Sequence, residues 1–126
     1  ITYSGAKRPL IIHRKNNSEP EVIRGDRKSI GGLRSNIARD YRFTNHKTSL
    51  YDGDTAYLTS DGLIDQNGKD RRRFGTPRLL VLLSEIGNKP LQEQKQILVE
   101  TLEKHQQDEM QRDDITFIGI RCGHVL

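Results

Sequence analysis

The sequence predicts an α+β fold with a mainly antiparallel sheet, and two observations support this. The first is the order of the segments: strand-like runs fill the first half, two helical patterns follow, and one strand-like run comes last. Strands that are not separated by helices usually pair as antiparallel neighbours rather than as βαβ units. The second is the turn chemistry between the early runs, which is clearest at Asn16–Ser18 and at Asp52–Gly53.

The strand-like runs are short and lie between turn residues. Pro9–His13 and Glu21–Arg24 flank the turn at Asn16–Ser18, so we expect them to form a hairpin. Ile30–Leu33 contains two glycines and predicts a tight backbone bend. The other runs with strand character are Tyr41–Thr44, Thr48–Tyr51, Thr55–Thr59 and Ile115–Ile120.

Two amphipathic patterns predict consecutive helices. Apolar residues from Leu79 to Ile86 recur at helical spacing, which predicts a helix over residues 75–86 that ends at Gly87. Pro90 suits the first turn of a second helix. An apolar stripe that includes Leu91 and Leu98 extends this second helix to about residue 106.

The composition indicates one domain with a thin core of its own. The 126 residues are 33% hydrophobic and 30% charged, and the chain begins at Ile1, so we expect it to be part of a larger unit. No run approaches the ~20 apolar residues of a membrane span, and no signal peptide is visible. Cys122 is the single cysteine, which excludes an intramolecular disulfide. We therefore expect a cytoplasmic protein without membrane insertion.

Positive charge is concentrated in the first 47 residues, which hold 11 Lys or Arg and 4 Asp or Glu. Such a distribution is compatible with a nucleic acid or an acidic protein partner. The basic residues are scattered, however, and only Arg71–Arg73 form a run. We interpret that run as a solvated loop, with a substrate-steering patch as the alternative, and we expect no nucleic-acid partner.

Aspartates follow one predicted strand and precede another. Asp61 comes directly after Thr55–Thr59 and Ser60, and Asp113 and Asp114 come just before the last strand. If these strands are antiparallel neighbours, the acids converge at one sheet edge. Converging carboxylates repel one another unless a cation such as Mg²⁺ or Mn²⁺ neutralises them. Gly62 would permit close backbone approach there, but an ordinary turn and cap remain an alternative explanation.

Six motifs occur along the chain in one order: Thr2–Leu10, Ile30–Gly32, Asp52–Asp54, Tyr57–Gln66, Phe74–Gly75 and Arg112–Thr116. Together they resemble the stage II sporulation protein E group of metal-dependent protein serine/threonine phosphatases. This group is the bacterial branch of the type 2C family. The resemblance covers nearly the whole chain, and the ordered set is more specific than any single motif.

The resemblance implies an antiparallel α/β/β/α sandwich, seen here as a partial domain. It also implies hydrolysis of phosphoserine or phosphothreonine by a metal-activated water at a two-metal Mn²⁺ or Mg²⁺ centre, without a phosphoenzyme. By motif, Asp61 and Asp113 correspond to metal ligands, whereas Ser60, Gly62 and Asp114 have accessory roles. The implied partners are a phosphorylated anti-sigma-factor antagonist as substrate and an upstream sensor or receiver domain.

One expected motif is missing. The family's other metal-binding aspartate is followed by glycine, but Asp26 is followed by Arg27, and Asp52–Gly53 belongs to the turn before a strand. We therefore expect residues 1–126 to be the C-terminal part of the domain, with weak or absent metal binding and no turnover alone. The alternative is a non-catalytic, phosphatase-like module that binds a protein partner.

Overall fold

The computed structural model describes residues 1–31 and 41–123. Within these ranges the chain forms six strands and three helices. The strands are β1 (Thr2–Tyr3), β2 (Leu10–His13), β3 (Glu21–Ile23), β4 (His46–Lys47), β5 (Thr55–Thr59) and β6 (Phe117–Arg121). The helices are α1 (Asp61–Asp65), α2 (Thr76–Ile86) and α3 (Leu91–Gln106).

A four-stranded sheet with the order β3-β2-β5-β6 forms the centre of the described part of the chain. Its strands are antiparallel, and β2 and β3 form the predicted hairpin, with Leu10 opposite Ile23. Strand β5 lies between β2 and β6, so Ala56 pairs with residues of both neighbours. Strands β1 and β4 form a separate antiparallel pair. The α+β class with antiparallel sheets is therefore confirmed.

Two apolar clusters lie on opposite faces of this sheet, because side chains alternate along each strand. Ile11 and Tyr57 point to the helical side, where they join a cluster with Leu79, Leu83 and Leu98. Helices α2 and α3 thus supply much of the larger core. The second cluster is smaller and consists of Leu10, Ile12 and Ala56, with Tyr3, Ile23, Leu50 and Leu58 packed against it.

The second face is only partly covered towards β6. Ile118 and Ile120 pair with Leu58 and Ala56, so they belong to the face that carries the smaller cluster. Their side chains are 47% and 57% exposed. An apolar sheet face with this much solvent exposure is unusual in a complete β-sandwich, where the inner faces of both sheets are packed together.

Helices α2 and α3 begin and end within about a residue of the predicted bounds, but two predicted strands are wrong. Neither Tyr41–Thr44 nor Thr48–Tyr51 forms a strand, and the pairing segment is His46–Lys47 between them. Backbone groups of Thr48–Tyr51 form hydrogen bonds outside a strand ladder. The amide of Thr48 donates to the carbonyl of Ile1, and the carbonyl of Ser49 accepts from the guanidinium of Arg14.

Two short elements, β1 and α1, were not expected from the sequence. The predicted bend at Ile30–Leu33 extends beyond residue 31, outside the described residues. Within residues 1–31 and 41–123, the structure contains no helix long and apolar enough to cross a membrane.

Candidate functional site

Strands β5 and β6 bring the two acidic segments to the same edge of the sheet. Thr59 pairs with Phe117, so the end of β5 lies beside the start of β6. Asp61 is the first residue of α1, directly beyond that end, and Asp113 and Asp114 lie in the segment that leads into β6. This is the juxtaposition that the sequence predicts for neighbouring antiparallel strands.

Ser60 joins the two segments through three hydrogen bonds. Its amide donates to the carbonyl of Thr116 at 2.9 Å, and its hydroxyl accepts from the amide of Thr116 at 3.0 Å. The same hydroxyl donates to the carbonyl of Asp114 at 3.0 Å. Because these bonds involve both the backbone and the side chain of Ser60, they fix the segment before β6 against the start of α1.

Gly62 lies in contact with the backbone of Asp114. A Cβ atom built on Gly62 would lie well within 3.0 Å of the Asp114 carbonyl oxygen, a distance that real Cβ atoms essentially never show. Since the neighbour is backbone rather than a flexible side chain, it has little freedom to move aside. A residue without a side chain is therefore needed where α1 and the acidic segment meet.

Arg8 forms an ion pair with Asp61. Its Nη2 lies 3.1 Å from Oδ2 of Asp61, and the two side chains are 35% and 46% exposed. The segment between β1 and β2 carries Arg8, which is 53 residues away from Asp61 in sequence. Sequence reasoning gave Arg8 no role, although it lies in the first motif of the resemblance, Thr2–Leu10.

Asp113 and Asp114 are exposed, and one carboxylate is turned towards its own segment. Oδ1 of Asp113 accepts the amide of Asp114 at 2.8 Å, and the side-chain amide of Gln111 donates to the Asp113 carbonyl at 2.9 Å. These local bonds leave the second carboxylate oxygen of Asp113 available at the edge.

The donor set at this edge fits part of a metal centre. Carboxylate oxygens are the ligands that hard divalent cations prefer. However, residues 1–31 and 41–123 contain no group of three or more His, Cys, Asp or Glu residues arranged to hold a metal ion. The oxygen chemistry of Asp61 and Asp113 therefore fits a divalent cation, but these residues do not enclose one.

His13 is a buried titratable group far from this edge. It pairs with Thr55 at the end of β5 opposite to Asp61, and its side chain is fully buried. Neither ring nitrogen has a hydrogen-bond partner among the described residues. Burial lowers the pKa of His13 below its usual 6.5, the nearby Arg121 lowers it further, and Asp54 opposes the shift. The fold therefore favours the neutral form of His13, which takes no part in the acidic edge.

Comparison with known proteins identifies relatives of both the sequence and the fold. The sequence model of the family "Stage II sporulation protein E (SpoIIE)" matches residues 1–123. The structure resembles the SiaA-PP2C domain of Pseudomonas aeruginosa with a TM-score of 0.83 and 32% identity. That match covers 96% of this chain and 46% of the other, so this chain spans about half the length of its relative.

Two solved structures of SpoIIE from Bacillus subtilis share the fold at lower identity. The PP2C phosphatase domain with a fragment of the regulatory domain matches with a TM-score of 0.69, 17% identity, and coverage of 99% of this chain and 34% of the other. The Mn-presoaked phosphatase domain matches with a TM-score of 0.63, 17% identity, and coverage of 99% and 50%. A comparison with curated proteins found no significant match.

Proposed function

Because the chain belongs to the stage II sporulation protein E (SpoIIE) family, we propose that it supplies part of the active site of a metal-dependent protein serine/threonine phosphatase. The observation that carries this proposal is the meeting of Asp61 with the Asp113–Asp114 segment at one sheet edge, within a chain that matches the family over residues 1–123. The reaction proposed is hydrolysis of phosphoserine or phosphothreonine on a regulatory protein.

Asp61 and Asp113 are the proposed ligands of a Mn²⁺ or Mg²⁺ centre. A divalent cation bound by carboxylates lowers the pKa of coordinated water and offsets the charge of phosphoryl oxygens. Ser60 holds the acidic segment in register through its bonds to Asp114 and Thr116. Gly62 permits the close approach of the Asp114 carbonyl, which accepts the hydroxyl of Ser60. These contacts keep the segment that carries Asp113 beside the start of α1, where Asp61 lies.

Residues 1–126 are proposed to be the C-terminal part of the phosphatase domain. Three features support this: the chain spans about half of its relatives, it lacks a group of three ligating residues in the described ranges, and Ile118 and Ile120 are exposed. We expect the remaining ligands to come from another part of the protein, so the chain alone should not turn over substrate. The partners proposed are a phosphorylated anti-sigma-factor antagonist and an upstream sensor or receiver domain in a bacterial signalling pathway.

Hydrolysis of a phosphoserine peptide by the longest natural form of the protein tests this function. We expect Mn²⁺-dependent turnover, and we expect Asp61→Asn to lower kcat/KM by about 100-fold or more. The matched control is Asp65→Asn, because Asp65 lies in the same helix, is similarly exposed and pairs with Arg73. The control should stay within about twofold of wild type.

Undiminished turnover in Asp61→Asn would refute the assignment. Robust metal-dependent turnover by the purified 126-residue chain would refute the separate proposal that its site is incomplete.

A non-catalytic interaction module is the second candidate. The observation that favours it is the exposed isoleucine pair of β6 beside a ligand set that is incomplete in the described residues. Such a module would bind its protein partner equally well with chelator and with Asp61→Ala. Loss of partner binding on chelation would exclude it.

A further inference from the structure

We propose that Arg8 binds the phosphoryl group of the substrate and is released for this purpose when the charge of Asp61 is neutralised. This inference rests on the proposed phosphatase function and assigns a substrate contact within it. The single observation behind it is the ion pair between Arg8 and Asp61, which places a guanidinium at the acidic edge.

The guanidinium has hydrogen-bonding capacity to spare. Arginine carries five N–H donors in a planar fork, and one of them donates to Asp61. Within residues 1–31 and 41–123, the other donors of Arg8 have no protein acceptor. About a third of the side chain is exposed, so an incoming anion has access to these donors. The planar fork of the guanidinium matches two oxygens of a phosphate group.

The backbone that carries Arg8 is held in place from several sides. The amide of Lys7 donates to the Asp26 carbonyl at 2.7 Å, and the amide of Asp26 donates to the Gly5 carbonyl at 2.7 Å. The hydroxyl of Tyr3 donates to the Arg8 carbonyl. Gly25 packs so closely on that carbonyl that a Cβ there would overlap it. A side chain on such a support loses little freedom when it binds a ligand.

Arg8 also lines a groove that suits a phosphorylated side chain. The groove has a volume of about 330 Å³ and runs between the segment that carries Arg8 and the β5–β6 edge. Its lining includes the hydroxyl residues Ser4, Ser60 and Thr116 together with the apolar Leu58 and Ile118. The hydroxyl groups of Ser4 and Thr116 can donate to phosphate oxygens, whereas the single proton of the Ser60 hydroxyl is donated to the Asp114 carbonyl.

Asp61 controls this contact electrostatically. The carboxylate of Asp61 occupies one donor of Arg8 and also repels an approaching anion. The negative charge of Asp61 therefore opposes phosphate binding until a cation or a substitution neutralises it. Neutralising Asp61, by a cation or by substitution, removes the repulsion and frees the Nη2 donor. Phosphate affinity should therefore depend on both residues and not on Arg8 alone.

Binding of inorganic phosphate to the purified 126-residue chain, followed by NMR at low ionic strength without metal, tests the proposal. We expect Asp61→Asn to raise phosphate affinity and Arg8→Ala in that background to lower it by about tenfold or more, the loss of a charged hydrogen bond. Arg8→Lys should give an intermediate loss, since lysine keeps the charge without the fork. Arg27→Ala in the same background is the charge-matched control, because Arg27 is exposed on the neighbouring segment.

Equal affinity in the presence and absence of Arg8 would overturn the proposal, as would an equal loss in the Arg27 control. Amide spectra of each variant establish that it is folded. If Arg8→Ala does not fold, Arg8→Lys replaces it in the comparison. In the longest natural form, Arg8→Ala should raise KM for the phosphopeptide far more than it lowers kcat. An unchanged KM with Asp61-dependent turnover would refute the role of Arg8 and leave the phosphatase assignment standing. Phosphate binding that depends on Arg8, together with turnover that does not depend on Asp61, would refute the phosphatase assignment and leave the phosphate contact of Arg8 standing.

Discussion

Substitution of Gly62 by alanine perturbs the acidic edge through a single methyl group. The new Cβ would lie well within 3.0 Å of the Asp114 carbonyl oxygen and at 3.3 Å from Cγ1 of Ile115. Restoring ordinary contact requires the two backbones to separate by about 1 Å, and forced overpacking of this kind costs about 1–3 kcal/mol. Alanine is better than glycine in a helix by up to about 1 kcal/mol, which offsets part of this cost.

The net expectation for Gly62→Ala is a loss of about 1–2 kcal/mol in the free energy of unfolding. Urea denaturation of the 126-residue chain measures this directly, with an unchanged m-value as the sign that only stability has changed. In the longest natural form, a shift of about 1 Å at Asp113 and Asp114 should lower Mn²⁺-dependent kcat by about 100-fold.

Gly123→Ala provides the matched control. Apart from its chain neighbours, no atom of residues 1–31 and 41–123 lies within 4 Å of a Cβ built on Gly123, so the same substitution should leave both stability and turnover unchanged. If Gly62→Ala has the stability and the activity of wild type, the close approach at Asp114 has no functional role. Equal damage from both substitutions would show that the effect is not specific to the acidic edge.

Two further substitutions test the packing that supports the sheet. The pKa of His13 is lowered by burial and by Arg121, so the unfolded chain binds the proton more tightly, and stability should fall as the pH drops below about 6.5. His13→Phe should remove up to about 1.4 kcal/mol of that loss per pH unit below about pH 6.5. An unchanged pH dependence of the free energy of unfolding in urea denaturation would contradict this reasoning. Tyr57→Phe removes the hydroxyl that donates to Oε1 of buried Gln94 at 2.7 Å, so it should lower the free energy of unfolding by about 1–3 kcal/mol. The control is Tyr51→Phe, which should cost almost nothing because Tyr51 is exposed. Equal thermal stability of the two tyrosine variants would contradict this reasoning.

The sequence predicts those parts of the fold that depend on local periodicity. The apolar residues of α2 and α3 recur at helical spacing, and Gly87 follows the end of α2, so the sequence predicts both helices to within about a residue. The meeting of Asp61 with the segment before β6 follows from strand order alone, because antiparallel neighbours bring opposite ends together.

The features that the sequence did not predict depend on long-range contacts. Tyr41–Thr44 alternates like a strand but has no strand partner among the residues that the structure describes, whereas His46–Lys47 pairs with β1. The pairing of Arg8 with Asp61 spans 53 residues and depends on how the segment between β1 and β2 packs on its neighbours. No local pattern encodes such a contact, so the residue most closely associated with the candidate ligand was not identified.

Titration of Mn²⁺ into the ¹⁵N-labelled chain tests the central claim most directly, because a paramagnetic ion broadens nearby amide signals even when it binds weakly. We expect the signals of Ser60–Gly62 and Asp113–Thr116 to broaden first, and we expect Asp61→Asn to abolish this selectivity. Uniform broadening, or selective broadening centred on the acidic residues of α3, would contradict the proposed metal site at the edge of β5 and β6.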